Sequence, residues 1–255
     1  MRRLFFLIVP FLMIISQANS QRGGSSLGGE VLIPREQNAV DKTFKDFSQY
    51  SPANFLNGSV LRGFNNFENT KGKRYLFDSW VKGSILTSDG KTIDNPGFLF
   101  NLDKVTNRLL VTQDKTNIVE VDKAAIRSLN LNNGAEAVIL ERLDLINPQV
   151  FLRLLTKKDN GYSLYKSTKT KLVKANYTTN GIVESGNTYD EYVDEDQYYI
   201  VSAAEKGFKT FTLWPKSIKT ALKGNEKKLN GYFYNHAGEN IDELFVKGLI
   251  EEINR

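Results

Sequence analysis

The stretch Tyr75–Val111, YLFDSWVKGSILTSDGKTIDNPGFLFNLDKVTNRLLV, decides the fold class of this chain. In its first part apolar residues recur at every second position, which is the spacing of a β-strand with apolar groups on both faces. Ser88-Asp89-Gly90-Lys91 then has the composition of a turn, in which Gly90 can adopt a positive φ. Further on, a second alternating run places three apolar residues on one face: Phe98, Phe100 and Leu102. The stretch therefore predicts consecutive strands joined by turns.

The same turn contains Gly90-Lys91-Thr92, which matches the end of a nucleotide-binding P-loop. A P-loop has the pattern GxxxxGK[ST], and its first glycine lets backbone N–H groups surround the phosphates. In this chain Ile85 occupies that first glycine position. A helix must also follow the lysine, but Pro96 and no helical pattern follow here. The sequence predicts a turn between two strands and no nucleotide site.

Strand-length apolar runs separated by polar turns continue towards the C-terminus. They are RLLVT (108–112), NIVEV (117–121), AIRSLNL (125–131), EAVILERL (136–143), QVFLRLL (149–155), YSLYKSTKTKLVKANY (162–177), QYYIVSA (197–203) and KTFTLWP (209–215). Short runs at nearly regular intervals, with nothing helical between them, are typical of an antiparallel meander. A meander of this length must curl or fold over to cover its apolar faces, so a sandwich and a barrel both remain open. We expect this β domain to span residues 73–214.

Helical spacing replaces the alternation from Pro215 onwards and predicts about three short helices. Their apolar stripes are Ile218, Ala221 and Leu222; then Leu229, Tyr232, Phe233 and His236; then Ile241, Leu244, Phe245, Leu249 and Ile253. Asn240 and Glu243 have the spacing of a capping box before the third helix. Helices this short need a surface to pack against. The predicted fold is thus α+β and mainly β, with a helical tail, 215–255, packed on the β domain.

The N-terminus has the three parts of a secretory signal peptide. Arg2 and Arg3 precede an apolar run at 4–15, and Ala18 and Ser20 suit a signal peptidase site. The run is shorter than the roughly 20 residues of a membrane-spanning helix. We expect cleavage after residue 20, with retention as an anchor the alternative, and no transmembrane span in the mature chain. Residues 21–72 are expected to form a flexible leader and a loop-rich extension with little regular structure.

Charge and cysteine content exclude several classes of function. The net charge is +5, or +3 without Arg2 and Arg3, and the charges are scattered, which does not favour nucleic-acid binding. The chain has no cysteine, which excludes a disulfide framework, a cysteine nucleophile and the lipid-modified cysteine of a lipoprotein. With the signal peptide, this predicts a periplasmic or extracellular protein.

The densest acidic cluster offers weak metal candidates, Asp190, Asp194 and Asp196. Calcium takes six to eight oxygen ligands, often from loops. However, the spacing here is not that of an EF-hand loop, and the glycine of that loop is missing. We expect a solvated acidic loop, no metal site and no cofactor.

Three other features have ordinary structural interpretations, so no catalytic residue is predicted. GSSLG at 24–28 fits GxSxG, but it lies in the leader and not on a strand-to-helix turn. His236 stands among apolar helix positions and is expected at the edge of a packed helix. A series of strand lysines is expected to protect an exposed sheet edge; these are Lys166, Lys169, Lys171 and Lys174.

Three segments resemble a group of exported proteins from Bacteroidetes-type bacteria: KRYLFDSW…NRLLV (73–111), DEYVDEDQYYIV (190–201) and the helical close WPKSIK…EEIN (214–254). The shared plan is a signal peptide, a β hairpin, a meander, a YYI strand and a lysine-rich helical tail. The resemblance implies a bacterial envelope setting. Its motifs are structural, so it implies no activity and no functional residue.

The leading hypothesis is a non-catalytic binding or structural module of the bacterial cell envelope, with an envelope protein or an apolar ligand as partner. The alternative is a carrier that encloses a small apolar ligand in a curled sheet. A second alternative is a hydrolase whose carboxylates only a structure can pair. An empty interior would favour the carrier, and a cleft with two close carboxylates would favour the hydrolase.

Overall fold

The structure, a computed structural model, describes residues 70–255 and the strand at 56–62 without its side chains. The proposed signal peptide, the GSSLG segment and most of the leader lie outside the described residues. In the described part the chain is mainly antiparallel β with three short C-terminal helices, so the predicted fold class is confirmed. No helix in this part is long and apolar enough to cross a membrane.

The elements follow one another as strands first and helices last. The strands are β1 (Leu56–Arg62), β2 (Thr70–Lys71), β3 (Lys82–Thr87), β4 (Thr92–Ile93), β5 (Leu99–Asp103), β6 (Arg108–Thr112), β7 (Asn117–Val121), β8 (Ile126–Asn132), β9 (Ala137–Arg142), β10 (Phe151–Thr156), β11 (Tyr162–Val173), β12 (Thr178–Thr179), β13 (Glu184–Ser185), β14 (Asp190–Ser202) and β15 (Gly207–Phe211). The helices are α1 (Pro215–Ala221), α2 (Glu226–Asn235) and α3 (Glu243–Ile253).

The described strands form a large sheet and a small sheet. The large sheet has the order β15-β14-β11-β10-β9-β8-β3-β4, with β2 beside β14, and the small sheet has the order β1-β7-β6-β5. A separate short hairpin pairs β12 with β13. Neighbours are antiparallel except β2 and β14. The meander of the large sheet is thus interrupted between β4 and β8, where β5, β6 and β7 form the small sheet with β1.

The turn that mimics a P-loop is a hairpin turn. Strand β3 pairs with β4, and the Thr87 N–H donates to the Lys91 carbonyl at 2.9 Å. Gly90 has φ 86°, the left-handed conformation that glycine adopts without steric cost. The strand β4 follows the lysine where a P-loop would need a helix. The hairpin prediction is confirmed, although β3 begins only at Lys82.

The first part of the core lies between the two sheets. Ile85, Leu129 and Leu140 are cross-strand neighbours on one face of the large sheet. They share one buried cluster with Phe100 and Val111 of the small sheet. The two sheets therefore pack face to face, and of the two alternatives left open by the sequence, the layered one is found among the described strands.

The three helices cover the same face of the large sheet further along. Leu164 of β11 and Ile200 of β14 pair directly and join a second buried cluster with the helices. From α3 this cluster takes Phe245, Val246, Leu249, Ile250 and Ile253. The large sheet thus carries two coverings on one face, the small sheet and the helices, as is usual for layered domains.

One residue of the predicted third stripe is not buried. Leu244 is 74% exposed, so its assignment to the apolar face is wrong. The helix begins one residue earlier than Leu244, and its N-cap is Asp242, whose carboxylate accepts from the Phe245 N–H at 2.9 Å. This cap places Leu244 in the first turn on the side away from the sheet. The predicted capping box at Asn240 is likewise replaced by Asp242.

Two strands lie within residues 21–72, the segment expected to have little regular structure. Strand β1 pairs with β7, with Val60 opposite Val119. Strand β2 pairs with β14, with Lys71 opposite Glu191. Local composition there is rich in Asn and Gly, but both strands gain their backbone hydrogen bonds from segments far away in sequence, which composition cannot reveal.

Candidate functional site

The longest strands of the large sheet extend beyond it as a two-stranded ribbon. β11 and β14 pair without interruption from Tyr162 opposite Ser202 to Val173 opposite Glu191. On one side β10 pairs with β11 only as far as Lys166, and on the other β15 pairs with β14 only from Tyr198 onwards. We call residues 167–197 the arm. It ends in the short β12–β13 hairpin.

The predicted acidic loop is one strand of this arm. Asp194 and Asp196 lie on β14, directly opposite Thr170 and Thr168 of β11, so the loop prediction is wrong. The acidic residues face a strand rich in lysine and threonine, and opposite charges on neighbouring strands stabilise their pairing. The sequence of the acidic segment does not reveal which strand pairs with it. Without that partner strand, a run of carboxylates indicates a solvated loop.

Of the four lysines predicted to protect a sheet edge, three form ion pairs with this acidic strand: Lys166, Lys171 and Lys174. Lys171 pairs with Glu195, and Lys174 pairs with Asp190 at 2.7 Å. Asp190 also accepts from the Ala175 N–H at 2.8 Å, and these contacts lower its pKa. The prediction of edge protection is wrong for Lys166, which lies inside the sheet between β10 and β14.

A polar cleft of about 280 Å³ lies between the two coverings of the large sheet. Its floor includes Leu140, Arg153 and Lys166, which are successive cross-strand neighbours on one face of the large sheet. Its charged and hydroxyl-bearing lining residues are Lys73, Lys104, Arg153, Lys166, Thr168, Asp194 and Asp196. The structure thus brings Asp194 and Asp196 to one cleft and leaves Asp190 at the other end of the arm strand.

Lys104 connects the small sheet to the arm. It follows β5, is only 8% exposed, and places its Nζ 2.8 Å and 2.6 Å from the two carboxylate oxygens of Asp194. The same carboxylate accepts from the hydroxyl of Thr170. The Thr170 N–H also donates to the Lys104 carbonyl at 3.4 Å. A buried ammonium needs such a partner, since an unpaired one would be strongly destabilising.

Lys166 connects the helices to the same cleft. Its Nζ lies 2.7 Å from Glu243 Oε2 at the start of α3 and 3.5 Å from Asp196 Oδ2. Asp196 in turn accepts from the Thr168 hydroxyl. Burial raises the pKa of the adjacent Tyr198 to about 12, and the charges of Asp196 and Glu243 contribute to the rise. Tyr198 therefore keeps its proton at neutral pH.

The cleft has the chemistry of a structural ion-pair network. Asp194 and Asp196 each contact a lysine ammonium and a threonine hydroxyl, so neither is left without partners beside the cleft. Residues 70–255 contain no group of three or more His, Asp or Glu side chains arranged to hold a metal ion. The expectation of no metal at Asp190, Asp194 and Asp196 stays a prediction.

Asp194→Ala tests whether this carboxylate stabilises the fold through its ion pair or binds a metal ion. The substitution leaves the buried Lys104 ammonium without its partner, so we expect unfolding to cost about 1–3 kcal/mol less free energy, as for a lost hydrogen bond to a charged group. Asp190→Ala, at a solvent-exposed ion pair with Lys174, should change it much less, because water screens such a pair. Urea denaturation of both variants measures this. A rise in the wild-type melting temperature with millimolar calcium that Asp194→Ala abolishes would instead reveal a metal site.

His236 has the structural position expected from the sequence. It caps the C-terminus of α2, stacks on Tyr232 with ring centroids 4.0 Å apart, and lies 2.9 Å from Glu239 through Nδ1. Its ring also meets Phe245 edge-on. The prediction of a histidine at the edge of a packed helix is confirmed.

The end of the arm carries an apolar tip that the sequence reading missed. Ile182 is 92% exposed and Val183 61% exposed in the turn between β12 and β13. The Asn180 side chain accepts from the N–H groups of both residues at 3.1 Å and 2.8 Å, and Gly181 has φ 84°. The Asn-Gly pair is a strong hairpin signal. The polar residues around Asn180-Gly181 indicate an unstructured insert and so obscure this hairpin signal.

Comparison of the chain with known protein families, with curated proteins and with solved structures finds no match. The resemblance to exported Bacteroidetes-type proteins therefore stays an expectation. Any functional proposal must rest on the residues of this chain.

Proposed function

We propose that this protein is an exported, non-catalytic binding module of the bacterial cell envelope and that the arm is its binding element. The observation that supports this proposal is the pair Ile182 and Val183, which stand exposed at the end of the arm. The export signal and the envelope setting come from the N-terminal sequence and from the resemblance. The partner is an envelope protein with an apolar pocket.

The arm is braced on both sides, which suits it to binding. On one side the Lys104–Asp194 ion pair holds it to the small sheet. On the other side β2 pairs with β14, and the Lys71 ammonium lies 3.7 Å from the centroid of the Tyr189 ring. A binding element that is already ordered loses little conformational entropy when its partner docks.

The tip has the composition of an interface centre surrounded by a polar rim. Two adjacent branched apolar side chains stand together in water, while Asn180 and Glu184 flank them. Burying apolar side chains of this kind releases about 1.5–3 kcal/mol each. The centre of a protein–protein interface is apolar and its rim is polar and hydrated.

The two alternatives have less support. Between the sheets, apolar side chains such as Ile85, Phe98 and Phe100 are almost completely buried against one another, which is how a filled core is built and not how a ligand is enclosed. In the cleft, Asp194 and Asp196 are held by lysine and threonine side chains, and a hydrolase would need carboxylates available to its substrate.

Site-specific photo-crosslinking in the native host tests the proposal. A photoreactive amino acid at position 182 should give one discrete adduct with an envelope protein, which mass spectrometry identifies. The control carries the same amino acid at Tyr234, an equally exposed apolar position on α2. If position 182 yields no adduct, or the same adducts as position 234, the arm tip is not a binding element.

Ile182→Ser with Val183→Ser is expected to weaken binding and preserve the fold. Because both side chains are exposed, the free energy of unfolding should change by about 0.5 kcal/mol or less. The affinity for the purified crosslinked partner, measured by calorimetry, should fall at least about tenfold, since about 1.4 kcal/mol of lost burial corresponds to that factor. Unchanged affinity in a folded double variant would contradict the assignment of the tip.

A further inference from the structure

The outer face of α1 forms a second surface. This helix packs beside β15, at the edge of the large sheet opposite β4. The inner face of this helix buries Ile218 and Leu222 against the sheet. The outer face carries two exposed lysines, Lys216 and Lys219, and a third exposed lysine, Lys223, follows the C-cap residue of the helix. They share a shallow depression with Pro215 and Thr220, and no acidic side chain lines it.

The charge of this face is only partly compensated. In the described part of the chain none of the three lysines forms an ion pair with a carboxylate, whereas Lys166, Lys171 and Lys174 do. Lys219 Nζ lies 5.1 Å from the centroid of the Phe233 ring. Lys223 acts on Glu226, whose pKa is lowered first by the Gly224 N–H and to a smaller extent by the Lys223 charge. Three like charges within two helical turns create a local positive potential that attracts anions.

An exposed tryptophan stands beside these lysines. Trp214 directly precedes α1 and is 73% exposed, which is unusual for a side chain of this size. Tryptophan has an apolar body and a polar N–H, and it is enriched where membrane headgroups meet the hydrocarbon layer. Lysines beside such a residue add electrostatic attraction to an anionic bilayer.

We propose that the outer face of α1 binds the surface of an anionic phospholipid bilayer. Lys216, Lys219 and Lys223 contact the phosphate groups, and Trp214 enters the interfacial layer. The dimensions favour a bilayer over a soluble polyanion. A helix of seven residues is about 10 Å long, which offers no extended basic track for a polymer.

Vesicle sedimentation with the full chain tests this assignment. Binding to vesicles of phosphatidylglycerol and phosphatidylcholine in equal parts is compared with binding to phosphatidylcholine alone. The ratio of the two partition coefficients removes any contribution that does not depend on lipid charge. The N-terminal Arg2 and Arg3 are present in every variant, so their contribution is the same in all of them. The ratio should be well above unity and should fall as salt is added.

Lys216→Gln with Lys219→Gln and Lys223→Gln should lower this ratio about 100-fold, because each lysine near an anionic surface contributes about 1 kcal/mol and about 1.4 kcal/mol is tenfold. A control of equal charge removes three exposed lysines from the β3–β4 hairpin, at the opposite edge of the large sheet, and from the turn between β6 and β7. This control is Lys82→Gln with Lys91→Gln and Lys115→Gln. It has the same net charge and should retain most of the ratio. Circular dichroism verifies that both variants fold.

Three outcomes would overturn the proposal. The first is an equal loss in both triple variants, which would mean that only net charge matters. The second is an unchanged ratio in the α1 variant. The third is lysine-dependent binding to heparin without lipid-charge-dependent binding to vesicles, which would identify a soluble polyanion. As a direct readout, anionic vesicles should shift tryptophan fluorescence to the blue in the wild type, and Trp214→Phe should remove that shift.

Discussion

Phe245→Ala is expected to lower the free energy of unfolding by about 3–5 kcal/mol, the usual cost of truncating a buried aromatic side chain. Phe245 is buried where α3 meets α2 and the large sheet. Its ring meets Tyr232 and Phe233 edge-on, with centroids 5.2 Å away in each case. Alanine would leave a cavity that three rigid elements cannot close, so the lost contacts are not replaced.

The neighbouring residue supplies the control for this prediction. Leu244→Ala removes an apolar side chain from the same turn of α3, but that side chain is 74% exposed. Its effect should stay within about 0.5 kcal/mol. Urea denaturation of the wild type and both variants measures the difference. Coincident midpoints for Phe245→Ala and the wild type would mean that α3 contributes nothing to the cooperative core.

Asn101→Ala is expected to cost about 2–4 kcal/mol, although it removes only a small polar side chain. Asn101 is completely buried in β5. Its Oδ1 accepts from the N–H groups of Phe77 at 3.2 Å and Leu102 at 2.9 Å. Its Nδ2 donates to the carbonyls of Phe77 at 2.9 Å and Ser79 at 3.3 Å. Each buried backbone group left without a partner costs about 1–3 kcal/mol.

Asn130→Ala is the matched control, because Asn130 lies on β8 with its side chain exposed. That variant should unfold within about 0.5 kcal/mol of the wild type. Chemical denaturation again provides the comparison. If both asparagine variants unfold alike, water replaces the Asn101 hydrogen bonds, and the connection between β5 and the segment before β3 is not important for stability.

For Asn101, the sequence predicts the strand but not the buried role of the side chain. The alternation of Phe98, Phe100 and Leu102 correctly predicts a strand, and all three side chains are buried. Nothing in that pattern distinguishes Asn101 from a solvent-facing residue of the other face. Apart from the adjacent Leu102 N–H, its hydrogen-bond partners lie 22 to 24 residues earlier, in a segment of irregular backbone. Only the folded chain brings that segment over the strand.

The two candidate binding surfaces, at α1 and at the arm, are also only partly predictable from the sequence. The lysines on and just after α1 and the aromatic residue before it are visible in the sequence, but their exposure and the absence of acidic side chains from the depression that they line are properties of the folded chain. For the arm, the sequence predicts a basic strand and an acidic loop. Pairing of β11 with β14 converted these two segments into one ribbon with an apolar tip.

The sequence by itself determined the local elements of this protein. The hairpin turn at Ser88–Lys91, the strands from β8 to β10 and the three terminal helices follow from hydrophobic periodicity and turn residues, which act over a few neighbouring positions. Tertiary structure alone decided which strands form each sheet, how the arm is braced and which faces stay exposed. Lys104 and Asp194 are 90 residues apart and yet form one ion pair. Such contacts depend on the register between strands that are distant in sequence. The local pattern of residues does not specify that register.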